Sequence, residues 1–391
     1  MTTAFLHGIE TIEVDLGPRS IQTVRSSLIG LVGTAPDADA DAFPLDVPVL
    51  VAGPRAAAAL GEAGTLRDAY LDVYGQGVNL AVVVRVAEGA DAAATTAAVA
   101  GDPTVGTGAY ALLDAKARFG QTPRILAAPG HTAEAGVSAV TTALLAVAVR
   151  ARAVVVADGP GGSEADAMTA AALYDDQRLY LVDPDVVVAR GGGLVARPAS
   201  GLAAGALSAR DQRRGFWWSP SNQVLAGVTA TGRPVGFALT QAETESNRLN
   251  EAGIATVVHQ DGFRLWGNRT RSTDPLWAFL SVRRTADMIY ESLEAGHLWA
   301  LDRPFSQQLL LSLRNGVQAY LDQLIDRGAL IGGSCWIDPE RNTAATLQAG
   351  QLYVDFDIEP PAPMERLSFV AHRNGRYYEE LVAGLATGLP A

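Results

Sequence analysis

The feature that most constrains the fold is an alternation of apolar runs with helical segments along residues 44–214. The runs are continuously apolar, which is typical of strands buried on both faces. Such an alternation predicts an α/β fold in which a parallel sheet is covered by helices on both faces. The predicted strands are residues 44–53, 79–89, 123–130, 152–162 and 178–190, and the predicted helices are residues 54–61, 65–77, 108–120, 135–152, 164–176 and 194–211.

The rest of the chain has less regular patterns. The C-terminal third predicts an α+β unit that begins with an amphipathic helix from Leu276 to His297, with Arg283 and Arg284 on its polar face. Further predicted elements are strands at residues 9–14, 20–33, 329–338, 351–360 and 364–373, a loop at 89–108, a helical passage at 240–254, and helices at 305–328 and 339–350.

Composition and charge exclude several classes of protein. A net charge of −12 argues against nucleic acid as the main partner, because phosphate binding needs a positive surface. The single cysteine, Cys335, rules out an intramolecular disulfide and fits folding in a reducing cytoplasm. We expect no membrane insertion, because no apolar run reaches the ~20 residues of a membrane span, and the N-terminal residues lack a signal-peptide pattern. Lys116 is the one lysine among 30 basic residues. Arginine is favoured at interfaces, but biased codon usage explains the imbalance equally well.

An enzymatic interpretation rests on His131 and Asp158, which follow predicted strands and could be two members of a hydrolase triad. No serine has the G-x-S-x-G setting of a nucleophile, since Ser163, Ser200 and Ser208 all lack it. The glycines at 159–162 fit neither nucleotide-binding motif, and no histidine has metal-ligand spacing. We therefore predict no catalytic, cofactor or metal site. An intracellular α/β hydrolase and a catalytically inactive α/β binding module remain the alternatives.

Residues 254–275 predict a β-hairpin that leads into the C-terminal unit. Ile254–Val258 is β-branched and apolar, Asp261-Gly262 supplies a tight turn, and Phe263–Trp266 is a second short strand. Upstream, residues 216–218 are the densest aromatic cluster. It is either an interface anchor or part of the core between two domains, and we favour the core.

The string DGFRLWGNRT at residues 261–270 resembles the signature of contractile tail sheath proteins, which occur in contractile-tailed phages and R-type bacteriocins. The segment SPSN at residues 219–222 also resembles the corresponding segment of these proteins, and the resemblance extends over nearly the whole chain. The signature residues are Asp261, Gly262, Phe263, Trp266, Gly267, Asn268 and Arg269.

The resemblance implies a fold and a division of the chain. The expected fold is a subtilisin-like α/β outer domain, without its chemistry, plus an α+β C-terminal domain whose sheet is completed by the terminal arms of neighbouring subunits. The expected division is an N-terminal arm strand at 1–19, an outer domain at 20–253 (20–90, then the subtilisin-like part at 91–253), an inner domain at 254–372 and a C-terminal arm at 373–391.

The resemblance also implies a function and its residues. The subunits would form a helical homo-oligomer of sixfold rings around an inner tail tube protein, capped by baseplate and tail-terminator proteins, and would contract. Assembly would take place in the cytoplasm of the bacterial host, and the product would be a phage tail or bacteriocin particle. The arms would flex near Gly17-Pro18 and Pro360–Pro363 and exchange strands between subunits; for the N-terminal strand, the alternative is an edge strand in its own domain. The residues implied for strand exchange are Ile9, Thr11, Ile12, Glu13, Val14, Tyr377, Tyr378 and Leu381, and those for the tube-facing surface are Glu340, Arg341, Thr343 and Gln348.

Overall fold

A nine-stranded mixed sheet forms the centre of the computed structural model, which describes residues 20–388. The strands are β1 (Ile29–Thr34), β2 (Pro48–Ala52), β3 (Leu80–Val86), β4 (Ile125–Ala127), β5 (Val154–Asp158), β6 (Leu179–Val182), β7 (Val186–Arg190), β8 (Gly193–Arg197), β9 (Gln223–Val224), β10 (Val228–Thr231), β11 (Ile254–His259), β12 (Phe263–Trp266), β13 (Gly332–Trp336) and β14 (Asp355–Glu359). The α-helices are α1 (Pro54–Ala57), α2 (Leu66–Gly75), α3 (Ala92–Ala100), α4 (Ala115–Phe119), α5 (Ala139–Ala151), α6 (Glu164–Ala171), α7 (Ala199–Arg214), α8 (Glu245–Glu251), α9 (Leu280–His297), α10 (Gln307–Asp326), α11 (Ala344–Gln348) and α12 (Arg376–Gly388), with 3-10 turns at Ala58–Leu60, Gly108–Asp114 and Leu298–Ala300.

The large sheet has the strand order β2-β3-β1-β4-β5-β6-β11-β12-β9. Strands β3, β1, β4, β5, β6 and β11 are parallel, whereas β2, β12 and β9 pair antiparallel at the two ends. The predicted parallel sheet is therefore confirmed for β3, β4, β5 and β6, whereas β2, which we predicted as part of it, pairs antiparallel at the edge. The hairpin of β11 and β12 extends this sheet, so the residue on which we placed a domain boundary, 253, immediately precedes one of its strands. The division into domains stays a prediction.

Both faces of the sheet are buried, which explains the continuously apolar runs. In β5, Val154 and Val156 belong to one hydrophobic core, and Val155 and Ala157 belong to the other. The first core includes residues of α2 and α7, and the second includes residues of α3 and α5. Because successive strand residues point to opposite faces, a strand covered on both sides is apolar at nearly every position.

A third core joins α9 and α10 to the two-stranded antiparallel sheet of β13 and β14. Ile289, Tyr320 and Leu324 are buried there, and Phe356 packs against them from β14. Phe216 of the aromatic cluster also joins this core, as we expected, whereas the neighbouring Trp218 is 43% exposed. No helix within residues 20–388 is both long and apolar enough to span a membrane.

The structure corrects several predicted elements. The predicted loop at 89–108 contains α3, whose alanine-rich sequence favours a helix once Asp91 caps it by accepting a hydrogen bond from the amide of Ala94. The predicted strand 178–190 is two strands, β6 and β7, which lie in different sheets. Strand β1 covers only about the last third of the predicted strand 20–33. Residues 193–197 form β8 before the helix α7 begins, and residues 364–373 form no strand in the single chain.

The small three-stranded sheet β10-β7-β8 is fixed to helix α2 by buried charges. Arg190 and Arg197 both pair with Asp72, at 2.6 and 2.9 Å, and both also reach Asp68. The Asp72 side chain is fully buried, and burial raises its pKa while the two guanidinium groups lower it. The two arginines thus supply the counter-charge that a buried carboxylate needs.

Candidate functional site

The signature at residues 261–270 is a turn and strand with strict backbone requirements. Asp261 and Gly262 have φ values of 49° and 100°, so they form the turn of the β11–β12 hairpin in the left-handed region. Gly267 has a φ of 136°, and a Cβ there would lie 2.7 Å from the Cα of Ala255. Glycine is therefore required at 267 by both conformation and space.

The same segment connects the large sheet to the start of α9. The Gly267 amide donates to Ser221 Oγ (3.0 Å), and its carbonyl accepts from the Tyr180 hydroxyl (2.7 Å). The amide of Leu280, the first residue of α9, donates to the Asn268 carbonyl (3.0 Å). Ser221 belongs to the SPSN text, so both stretches that carry the resemblance meet at one structural joint.

Arg269, at the end of the signature, reaches the C-terminal part of the chain. Its Nε and Nη2 donate to the two carboxylate oxygens of Glu365, at 2.8 and 2.5 Å. Its guanidinium lies 5.0 Å from the centre of the Phe279 ring. Two parallel bonds to a carboxylate fix orientation as well as distance, so Arg269 holds Glu365 in a defined place.

Beyond Glu365 the chain is exposed and rich in apolar side chains. Leu367, Phe369 and Val370 are 64%, 88% and 76% exposed. Exposed apolar side chains so close together in the chain are typical of an interaction surface. The exposed segment thus begins before residue 373, where we expected the C-terminal arm to start, and from here on the C-terminal arm means residues 366–388.

The residues predicted for strand exchange at this end lie on a helix in the arm. Tyr377, Tyr378 and Leu381 belong to α12 and are 67%, 65% and 60% exposed. The expectation that the last segment of the chain is a strand is wrong for residues 376–388 of the single chain. The spacing of its apolar residues is helical, which the sequence interpretation overlooked in favour of the family resemblance. The N-terminal residues predicted for strand exchange, Ile9, Thr11, Ile12, Glu13 and Val14, lie outside the described residues.

Strands β13 and β14 pair only with each other within residues 20–388. On β13 the Cys335 amide donates to the Gln318 side chain of α10 (2.9 Å), and the Gly333 carbonyl accepts from the same side chain (3.3 Å). The outer edge of β14 is therefore the edge whose backbone N–H and C=O groups can pair with a further strand. Two carboxylates of β14 are engaged, since Asp355 pairs with Arg341 and Asp357 accepts bonds from the amide and hydroxyl of Ser334. These aspartates therefore have structural partners within the subunit.

The residues predicted to face the tube cluster around the short helix α11. Thr343 accepts a hydrogen bond from the Thr346 amide and caps the helix, and Gln348 ends it. The guanidinium of Arg341 lies 4.8 Å from the centre of the Tyr353 ring. All four predicted residues, including Glu340, are exposed. The structure thus brings them together at one surface, while their contact with a tube stays a prediction.

Helix α9 is joined to the sheet by buried ion pairs that the sequence analysis missed. Arg284 donates to both oxygens of Asp211 in α7, at 2.7 and 2.5 Å, and both side chains are almost fully buried. Arg178 and Arg283 share the carboxylate of Asp287, with distances of 2.6 and 2.9 Å. Arg283 and Arg284, which we placed on the polar face of this helix, are therefore buried in ion pairs and do not face solvent.

A second group of charges continues this contact toward the C-terminal end of α9. Glu291 accepts from Arg124 at 2.6 Å and lies 3.9 Å from the ammonium of Lys116, whose side chain is 71% exposed on α4. Arg152, at the end of α5, pairs with Glu294. Because these partners come from three separate elements of the α/β part, the C-terminal helices are held to it at several points.

The geometry does not support a hydrolase. Asp158 is buried and accepts hydrogen bonds from the Ser200 amide and hydroxyl, both at 2.7 Å, and from Thr132 at 3.2 Å. Burial raises the pKa of the Asp158 carboxyl. His131 instead contacts Thr65, with Nε2 2.9 Å from Oγ1, and burial lowers the pKa of its imidazole. The histidine and the aspartate therefore have separate partners.

Comparison with known proteins identifies the family. Residues 104–271 match the profile of the phage tail sheath protein central domain, and residues 272–372 match that of the phage tail sheath C-terminal domain. The chain is 38% identical over 387 residues to a prophage major tail sheath protein of Pseudomonas aeruginosa (strain UCBPP-PA14), covering 97% of this chain and 99% of the relative. It is 33% identical over 392 residues to the tail sheath protein of Escherichia phage P2, with coverage of 97% and 98%.

Solved structures show the same fold at low sequence identity. The sheath of the extracellular contractile injection system PVC in its contracted state superposes with a TM-score of 0.71 at 17% identity, covering 96% of this chain and 100% of the other. The contracted helical sheath of the anti-feeding prophage gives a TM-score of 0.71 at 20% identity, with coverage of 95% and 100%. A chain of that particle's baseplate, solved with sixfold symmetry imposed, gives 0.69.

The resemblance first seen at residues 261–270 is thereby confirmed. Family profiles span residues 104–372, and relatives align along nearly the whole chain. The chain belongs to the phage tail sheath protein family and is a contractile tail sheath subunit, a structural protein rather than an enzyme.

Proposed function

We propose that this subunit assembles with identical copies into a helix of sixfold rings around an inner tail tube protein, and that contraction of the helix drives the tube through a bacterial envelope. Baseplate and tail-terminator proteins would bind the two ends of the sheath. Assembly would take place in the cytoplasm of the bacterial host, and the product would be a phage tail or a bacteriocin particle. The observation that carries this proposal is the exposed apolar C-terminal arm, together with an outer edge of β14 that has no partner strand within residues 20–388.

Strand exchange explains both features at once. The single chain leaves Leu367 and Phe369 in water, and their alternate spacing fits a strand that buries one face. An arm that adds to the outer edge of β14 of a neighbouring copy would cover these side chains and satisfy the edge hydrogen bonds. The N-terminal arm, through residues 9–14, would add a further strand, so that three subunits share one sheet.

Contraction requires rigid bodies, flexible connections and two packings of different free energy. The buried pairs Arg284–Asp211 and Arg178–Asp287 supply the first requirement, since they hold α9 against the α/β part. The arms supply the second, because they would keep neighbours connected while the bodies rotate. The outer part would resemble subtilisin in its fold alone.

Electron microscopy of the purified full-length chain tests the proposal directly. We expect hollow tubes in negative stain. The double variant Leu367→Asp/Phe369→Asp should remain a folded monomer and form no tubes, because charges on the buried face of the donated strand oppose docking. The control Ser368→Asp places one charge on the other face and should still assemble. Removing residues 1–17 should also abolish tubes without unfolding the subunit. A wild-type chain that stays monomeric at all concentrations, in the presence of its tube protein, would refute the proposal.

The tube-facing surface needs a separate measurement. We expect the variant Glu340→Ala/Arg341→Ala to form empty sheaths as the wild type does, but to lose co-sedimentation with the tube protein. The control Arg314→Ala, at an exposed position on α10, should retain it. Loss of sheath formation itself in the double variant, or retained binding to the tube, would place the tube contact elsewhere.

A further inference from the structure

The connection between β14 and α12 has two parts with different restraints. Residues 360–365 contain three prolines, which restrict the backbone, and Pro360 is buried. Glu365 ends this part and is held by Arg269. The following residues, 366–373, are all exposed and make no hydrogen bond or ion pair with the rest of residues 20–388. The restraint on the chain therefore ends at Glu365.

Arg269 is held in place by the body of the subunit and can therefore anchor Glu365. It directly follows Asn268, which is only 9% exposed. The backbone of Arg269 also pairs with that of Phe279 in an isolated antiparallel bridge just before α9. The Phe279 ring limits the positions of the guanidinium on one side. The side chains of Arg269 and Glu365 are 39% and 34% exposed, so the pair lies at the surface, where solvent can compete for it.

We infer that the Arg269–Glu365 pair is the pivot of the C-terminal arm: residues 360–365 move with the body of the subunit, and the arm swings from Arg366 onward. This rests on the proposed function, because it assumes that the arm docks on a second copy of this chain. It also moves the flexing point from Pro360–Pro363, where we expected it, to Arg366, directly before the residues that would dock.

The pivot sets how far the arm can reach. Leu367, the first residue of the face that would dock, is two residues beyond Glu365 and lies at most ~7 Å from it, at ~3.3–3.6 Å per residue. Because Glu365 is fixed on the body, the neighbouring sheet edge must begin close to it both before and after contraction. Without the Arg269–Glu365 pair, residues 360–365 would add their length to the reach of the arm, and this segment could take any orientation relative to the body.

Spin labelling of the unassembled subunit tests the pivot independently of assembly. In a Cys335→Ser background, nitroxides are attached at Ala362→Cys, before the pivot, or at Ser368→Cys, beyond it, and the monomer is isolated by size exclusion. We expect the label at 362 to tumble at least about threefold more slowly than the label at 368. Glu365→Gln should bring the two within about twofold, since a neutral amide forfeits the charge-assisted bidentate contact. The matched control Arg366→Gln, at the next and exposed position, should leave the contrast unchanged.

Two results would overturn the pivot: equal mobility at the two positions in the parent protein, or an unchanged contrast in Glu365→Gln. Assembly gives a second readout. Glu365→Arg should shorten the tubes, and the charge exchange Arg269→Glu/Glu365→Arg should restore their length, whereas Arg366→Glu should have no effect. Failure of the exchange to restore length would also count against the pivot. If the parent protein forms no tubes while the label contrast holds, the proposed function fails and the pivot stands as a property of the single chain.

Discussion

Replacing Asp211 by asparagine tests whether buried charges hold α9 to the α/β part. Arg284 donates to both oxygens of Asp211 at 2.7 and 2.5 Å, with side-chain exposures of 2% and 0%. Asparagine has nearly the same volume as aspartate, so packing is conserved while the counter-charge is lost. The guanidinium then stays buried with only the Ser26 carbonyl, at 3.2 Å, and a neutral amide as partners.

Breaking a buried pair by removing one partner costs about 3–5 kcal/mol. Because the amide oxygen and the Ser26 carbonyl still accept hydrogen bonds, we expect the lower end, about 3 kcal/mol, which corresponds to a roughly hundredfold larger open population at ~1.4 kcal/mol per factor of ten. A chain of this length need not unfold in one step, so the measurement is local. Amide hydrogen exchange, read by mass spectrometry on peptides from residues 280–297, should show protection reduced about a hundredfold.

Two comparisons make the measurement decisive. Arg67→Gln removes a surface ion pair with Glu62, which is 88% exposed. It should change the free energy of opening, read from amide protection, by less than ~1 kcal/mol. The double variant Asp211→Leu/Arg284→Met replaces the pair with apolar side chains and should recover most of the loss, since no unpaired charge remains. Protection of α9 in Asp211→Asn within about threefold of wild type would refute the argument that this burial needs its counter-charge.

Three further predictions follow from local geometry. Gly267→Ala should destabilise the fold by more than about 2 kcal/mol, because its Cβ would meet Ala255, whereas Gly316→Ala in the open interior of α10 should stabilise by about 0.5–1 kcal/mol; thermal midpoints distinguish them. Asp158 has a raised pKa in the folded state, so its contribution to stability is present below 3.8 and is lost as pH rises through the raised value; Asp158→Asn should therefore gain stability relative to wild type as pH rises, in urea titrations across that range. Asp91→Ala removes the cap of α3 and should cost about 1 kcal/mol, seen as faster amide exchange confined to that helix.

The large sheet could be predicted from sequence because burial on both faces leaves a strong signal. Runs such as Ala81–Val84 and Val154–Ala157 are apolar at every position, and each of these residues is buried in the structure. The turn at Asp261-Gly262 was equally readable, since both residues tolerate positive φ. In these cases, local chemistry and the global fold point the same way.

The ion pairs around α9 could not be predicted, because charge on an amphipathic helix normally indicates solvent. The partners of Arg284 and Asp287, which are Asp211 and Arg178, lie 73 and 109 residues away in the sequence. No local sequence pattern predicts pairs of this separation. One signal was available: Arg283 and Asp287 are spaced i and i+4, which allows a pair along the helix. It could not show that the pair is buried.

The candidate site, too, could be predicted only in part from the sequence. The signature identified the family, but its role in joining β12 to α9 became visible only with the contacts of Gly267 and Asn268. The helix α12 was missed because the expectation of a strand outweighed the spacing of Tyr378, Leu381 and Leu385. The Arg269–Glu365 pair spans 96 residues and has no sequence signature.

The distribution of two rare residues makes this subunit easy to label for optical work. Lys116 is the one lysine side chain and stands largely in solvent on α4, so amine-reactive dyes have one side-chain target besides the terminal amine. Cys335 is the one thiol and is half-buried in β13, which belongs to the C-terminal part of the chain with α9 and α10. A donor on one and an acceptor on the other would report, by energy transfer in native sequence, whether the two parts keep a constant separation while a sheath shortens.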